Sequence, residues 1–206
     1  MGMPKGLIKI DNHTLLEHQL FCLNRFASKV ILVLGFNNKK YFKKIGFLKL
    51  YHNKWKKWKN LKLFVTVNKT PKLGPFSSIQ AGLKHLSTNV SAFILPIDTL
   101  SPKQNVFKAL QKAGQKKGKE KKLLACIPSY RKKAGHPVWI SRVLMRKIET
   151  ISPISPNARL DHIINKIPVA KKQYLNVFDK KVLTNINTPN PHRTANLHKE
   201  VAIQVH

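Results

Sequence analysis

Short, continuous, β-branched apolar runs recur along this chain, separated by longer amphipathic stretches, and this alternation constrains the fold more than any other feature. The runs cover residues 30–34, 63–67, 92–97, 123–127, 137–140, 174–178 and 182–186. Each is too short for a helix of ordinary length. None alternates polar with apolar, as a half-exposed strand would, so they read as strands buried on both faces. Between them, Leu16, Leu20, Leu23 and Ala27 mark one helical face behind Thr14 as its cap. Ser77 is placed to cap a second helix through Ile79, Leu83 and Leu86, and further helices are predicted over residues 102–113, 142–150 and 158–166. Strands alternating with helices imply βαβ crossovers, hence an α/β protein with a doubly wound, mostly parallel, Rossmann-like sheet and helices on both faces. No linker or repeat divides the 206 residues, so one domain is expected: residues 1–100 form a nucleotide-binding half and 101–206 an acceptor-side half.

Composition narrows the environment and the ligands. The longest apolar runs are far below membrane-spanning length, and Lys5, Lys9 and Asp11 interrupt the first residues, so no signal peptide is expected there. Cys22 and Cys126 lack metal-ligand spacing and sit in apolar segments, as reduced thiols of a cytoplasmic protein do. Lys and Arg number 39 against 8 Asp and Glu, a formal charge of +31. Such a field attracts polyanions, whether nucleoside triphosphates, nucleic acid or an acidic surface, without naming one. The stretch Lys54-Trp55-Lys56-Lys57-Trp58-Lys59 has two readings: a surface that stacks bases and holds phosphates, or an amphipathic segment whose tryptophans pack on the body.

Doubly wound sheets bind ligands beyond the carboxyl ends of their strands, which selects four places. At the amino terminus, Gly2 and Lys5 offer close backbone approach and an ammonium for phosphate. From Asn68 to Gly74-Pro75-Phe76-Ser77-Ser78 the chain leaves a strand and opens a helix, whose N–H groups suit an anion or a base edge. In Leu95-Pro96-Ile97-Asp98 a rare carboxylate ends an apolar strand, where it could hold Mg2+ against a triphosphate; capping the next helix is the alternative. The segments around His136 and around Asn185 and Asn187 complete the set as candidate wall residues of an acceptor or metal site, against a structural hydrogen bond for His136 and a helix cap before Pro189 for the asparagines.

In order, Met1-Gly2-Met3-Pro4-Lys5-Gly6-Leu7, Gly74-Pro75-Phe76-Ser77-Ser78-Ile79-Gln80-Ala81-Gly82-Leu83, Leu95-Pro96-Ile97-Asp98-Thr99, Gly135-His136-Pro137-Val138 and Val182-Leu183-Thr184-Asn185-Ile186-Asn187-Thr188-Pro189 resemble the motifs of the MobA-like nucleotidyltransferases. That family includes the guanylyl- and cytidylyltransferases of the molybdenum cofactor. The resemblance implies transfer of a nucleoside monophosphate from GTP or CTP to a phosphorylated, molybdopterin-like acceptor, with Mg2+ bound. It makes Lys5 the phosphate-binding lysine and Asp98 the Mg2+ ligand. Asn68 with Gly74, Ser77 and Ser78 becomes the base pocket, and Asn185 or Asn187 borders the metal. Family members open with a strand and a glycine-rich loop that run into the Met-Gly motif. This chain begins at that motif: either its true start lies upstream, or it is a degenerate relative that lacks that central strand and the arginine of that loop. A sugar-phosphate acceptor, or a non-catalytic nucleic-acid-binding relative, would fit the same residues.

Overall fold

The computed structural model describes residues 3–87, 89–115, 122–186 and 201–205, the last as backbone apart from Ile203. A 3-10 turn, Lys5–Leu7, leads into a small hairpin of β1 (Lys9–Ile10) and β2 (His13–Thr14), then α1 (Leu15–Leu23). There follow β3 (Lys29–Leu34), α2 (Asn38–Lys44), β4 (Lys56–Trp58), β5 (Leu61–Val67), α3 (Pro75–Leu83), β6 (Ala92–Pro96) and α4 (Gln104–Gly114). The second half adds β7 (Ala125–Tyr130), β8 (Lys133–Ala134), β9 (Val138–Ile140), α5 (Arg142–Thr150), α6 (Leu160–Lys166), β10 (Lys172–Asn176) and β11 (Val201–Val205).

One nine-stranded sheet runs β10-β7-β9-β6-β11-β3-β5-β4, with β8 paired to β7. Its registers give β3, β5, β6, β7 and β10 one direction and β4, β8, β9 and β11 the other. The apolar runs are continuous because successive residues feed two cores. On one face Val30, Leu32, Leu34, Leu63, Phe93 and Leu95 meet α1, α2 and α4. On the other Ile31, Val33, Phe64 and Ile94 meet α3, α5 and α6. Helices on both faces of this sheet are what the strand–helix alternation predicts.

Several local expectations change. The run at 182–186 is no strand: residues Lys180–Leu183 form a 3-10 turn, capped by the Asp179 carboxylate on the Lys181 N–H. Residues 137–140 do form a strand, but β9 runs antiparallel, following β7 after the short return of β8. The second helix starts three residues early, with Gly74 at its cap position and Pro75 at its first position, so Ser77 lies inside the first turn and donates to the Gly74 carbonyl instead of capping. Thr14 does cap α1, in a reciprocal box with Glu17.

The centre of the sheet is filled by a strand from late in the sequence. The position between β3 and β6 is held by β11, which runs antiparallel to both: Ile203 pairs with Ile31 on one side and Ile94 on the other. An interior strand there satisfies two rows of backbone donors and acceptors that burial would otherwise leave unpaired. The Ile203 side chain is fully buried in the second core.

Candidate active site

The carboxyl end of β6 carries the chemistry. Beyond Pro96 the strand breaks into a tight turn, in which the Thr99 N–H donates to the Pro96 carbonyl at 3.2 Å. Asp98 sits in this turn, 6 % exposed, although it is charged. Lys5 Nζ lies 3.3 Å from its Oδ2, brought there by the 3-10 turn at 5–7. Oδ1 is buried and takes no hydrogen bond from any described residue. A buried carboxylate half paired and half bare is costly unless a cation or donor completes it.

Two further contacts build this corner. Gly6 passes so close to α2 and the β6 turn that a Cβ would lie 2.5 Å from Ile97 and 2.6 Å from the Tyr41 hydroxyl. Its own N–H donates to that buried hydroxyl at 3.2 Å. Only glycine lets the Lys5 segment lie this near β6. From below, Gln19 on α1, wholly buried, donates its carboxamide to the carbonyls of Pro96 (3.0 Å), Ile97 (3.3 Å) and Thr99. The Asp98 turn therefore rests on a side chain that sequence reasoning passed over. The available signal was a glutamine on the same apolar stripe as Leu16, Leu20 and Leu23.

Asn185 also arrives at this corner. The Ile186 N–H donates to the Asp98 carbonyl at 2.7 Å, and the Thr99 hydroxyl donates to Asn185 Oδ1 at 3.0 Å. Residues 184–186 thus form a flap of backbone over the turn, with Asn185 beside the carboxylate's own peptide. Asn187 and Gly2 lie outside the described residues.

The turn before α3 lies at the same edge of the sheet, because β5 runs parallel to β6. Gly74 has φ +84°, a conformation that glycine adopts without strain, and Pro75 then fixes the helix start. Asn68, Ser77 and Ser78 are buried and bonded to one another: Asn68 Nδ2 donates to Ser77 Oγ at 2.8 Å and to Ser78 Oγ at 3.0 Å. Asn68 Oδ1 accepts from the Thr70 N–H at 2.9 Å. These three side chains brace the turn, leaving its backbone and Gly74 to face outward.

Next to this turn opens a cavity of about 930 Å³. Gly74 and Pro75 form one lip, and Gly135 and His136 the other; Ile79, Ile94, Ile127 and Val138 make an apolar floor. The His136 N–H is anchored on the Val182 carbonyl at 2.8 Å. Lys72, Arg159, Asp161 and Tyr174 stand on the rim. Arg159 and Asp161 form an exposed two-bond pair, and that contact holds the Asp161 carboxyl below the usual carboxylate range. The cavity reaches β6 at Pro96, two residues before Asp98, so Lys5 and Asp98 stand beside it and do not line it.

Among the described residues no three His, Cys, Asp or Glu side chains cluster as a metal cage. A hard divalent cation needs no such cage, since it takes one or two carboxylates and completes its shell with water and phosphates. The bare Oδ1 of Asp98 could offer one such oxygen.

A doubly wound sheet whose interior strand ends in a cation-paired carboxylate, flanked by a glycine turn opening a helix, defines an α/β protein of the nucleotidyltransferase type. The chain belongs to the MobA-like NTP transferase family, whose domain profile matches residues 1–169. Solved structures share the fold. Rv0371c from Mycobacterium tuberculosis H37Rv aligns with a TM-score of 0.62 at 14% identity, covering 86% of this chain and 80% of that one. Its homolog from Mycobacterium sp. strain JC1 gives 0.61 at 17% identity, over 86% and 79%. A manganese complex of Rv0371c gives 0.60 at 14%, over 85% and 83%. No curated protein sequence matches this chain.

Proposed function

We propose that this chain is a magnesium-dependent nucleotidyltransferase. It moves a nucleoside monophosphate from GTP or CTP onto the phosphate of a small acceptor of the molybdopterin kind, and pyrophosphate leaves. The observation that carries this reading is the buried, half-bare carboxylate of Asp98 beside Lys5 at the tip of an interior strand. Crystallisation of a protein of the same fold with manganese supports a divalent-ion requirement.

In this reading an acceptor phosphate oxygen forms a bond to the α-phosphorus, and the bond from that phosphorus to the leaving pyrophosphate breaks. Asp98 would hold Mg2+, which when bound draws charge from the phosphate oxygens. Lys5, still 18 % exposed, would turn its ammonium from Asp98 to the phosphates, neutralising charge as pyrophosphate departs. Phosphate and base would lie along the Gly74 turn and the first N–H groups of α3, where the helix dipole favours an anion. Asn68, Ser77 and Ser78 would set that turn, keeping the donors in place before substrate arrives. The acceptor would occupy the cavity between Gly74 and His136, its apolar body on Ile94 and Ile127 and its charged end toward Lys72 or Arg159. Asn185 and Asn187 would border the metal. We read residues 1–206 as one such domain in the cytoplasm; its two free cysteines and the absence of a long apolar helix among the described residues support this.

Titration calorimetry with GTP and CTP tests the reading. Binding should be tighter in Mg2+ than in EDTA, and the difference should vanish in Asp98→Asn. Nucleotide affinity indifferent to both Mg2+ and Asp98 overturns it. Radiolabel transfer from α-labelled nucleotide to molybdopterin or to a sugar phosphate then separates the two acceptor chemistries.

A further inference from the structure

The opposite edge of the sheet carries a second feature, unconnected with nucleotide transfer. Strand register sets Lys57 of β4 directly across from Lys62 of β5, and Lys62 directly across from Lys29 of β3. Paired residues share a face, so three ammonium groups stand in one row spanning about 10 Å. All three are exposed, and none forms an ion pair with a described residue. Like charges directly opposite one another weaken a sheet, so this row works against folding unless an anion neutralises it.

Alternation along β4 also divides the two tryptophans. Trp58 points to the first core, 8 % exposed, and stacks on Phe47 at 5.9 Å. Trp55 falls on the lysine face, 37 % exposed, with its ring 5.2 Å from Phe64, which in turn lies 4.4 Å from His85. The result is a partly exposed indole backed by two further rings, next to three cations with no ion-pair partner among the described residues.

We propose that this face binds single-stranded nucleic acid, with phosphates on Lys29, Lys57 and Lys62 and a base stacked on Trp55. Non-specific single-strand sites combine these two elements, a cationic track and an aromatic shelf. Strands β3, β4 and β5 expose no large apolar side chain, and Trp55 just before β4 adds a single ring, which gives a bilayer little to bury. Because β3 and β5 run parallel to β6, the row lies at their amino ends, remote from Asp98.

Fluorescence anisotropy with a labelled oligo-dT, and with an abasic strand of equal length, tests this. Three lysine-to-glutamine changes, Lys29→Gln, Lys57→Gln and Lys62→Gln together, should flatten the salt dependence of log K by about 2, at roughly 0.7 per phosphate contact. A control triple on α5 and on the turns before and after β10, Lys147→Gln, Lys171→Gln and Lys180→Gln, should change it far less. Trp55→Ala should weaken oligo-dT about tenfold while leaving the abasic strand unaffected. Equal losses in both triples overturn the proposal in favour of diffuse charge. An unchanged Trp55→Ala, or row-dependent binding to phosphatidylserine vesicles without oligo-dT binding, overturns it as well. Thermal melts check that each variant folds. Lys57→Gln on the edge strand, expected to flatten the slope by about 0.7, serves if the triple does not fold.

Discussion

Lys5 and Asp98 are 93 residues apart in sequence, yet Nζ of one lies 3.3 Å from Oδ2 of the other. The lysine is the described partner of a carboxylate that otherwise has one bare, buried oxygen. Removing Lys5 leaves both oxygens without a donor. Lys5→Met should destabilise the nucleotide-free protein by about 1–3 kcal/mol, the cost of stranding a buried polar group at a partly open site. Mg2+ should raise the melting temperature of Lys5→Met more than that of the wild type, because the freed carboxylate binds the ion without displacing an ammonium. Equal Mg2+ shifts in the two proteins would argue that Asp98 is not the ligand.

Gly6 sets the distance between that pair. An alanine methyl there meets Ile97 and the Tyr41 ring, both buried and unable to retreat. Overpacking of this kind costs about 1–3 kcal/mol. Gly6→Ala should lower stability by that amount in urea titrations and also weaken Mg2+-dependent nucleotide binding, since the lysine segment is pushed away from β6. A variant that loses stability but keeps full nucleotide affinity would place the lysine's role elsewhere.

Gln19 supports the Asp98 turn from beneath. Gln19→Leu keeps the volume but strips donors from the Pro96, Ile97 and Thr99 carbonyls. The loss expected is about 1–3 kcal/mol. Amide hydrogen exchange should speed up at Thr99 and Ile186, whose N–H groups close the turn; unaltered exchange there would show that the turn holds without Gln19.

Burial pushes the Cys126 thiol up to about 11 from its ordinary value near 9. A raised folded-state value means that the native protein holds this proton more tightly than the unfolded chain. Its contribution is therefore complete below about pH 9 and lost as pH climbs from 9 to 11. Wild type should lose stability over that window by more than Cys126→Ala does, as measured by urea midpoints across pH. Native Cys126 should also resist alkylation until the protein unfolds.

Much of this was legible in the residue string. Uninterrupted β-branched runs demanded strands with two buried faces, and Thr14 with Glu17 announced a helix start through a bond only three residues long. Asp98 was conspicuous because a scarce acid followed an apolar strand. The Trp-Lys stretch kept two readings open; the structure packs Trp58 on the body and leaves Trp55 on the lysine face, where base stacking is our proposal. What misled was local pattern without a partner. Residues 182–186 look like a strand, but an apolar run becomes one only where a neighbouring edge accepts its hydrogen bonds, and here the chain turns at Asp179 instead.

By itself the amino-acid order determined the doubly wound α/β class, the residue types at the carboxyl edge of the sheet and the overall positive field, because each rests on side-chain periodicity or on charge. The tertiary structure alone decided that β11 fills the centre of the sheet, that Lys5 meets Asp98, that Gln19 carries the turn between them and that three lysines align at the other end. Those are pairings across many residues, chosen by which backbone edges and cavities the assembled core leaves to be satisfied, and no local stretch of sequence encodes them.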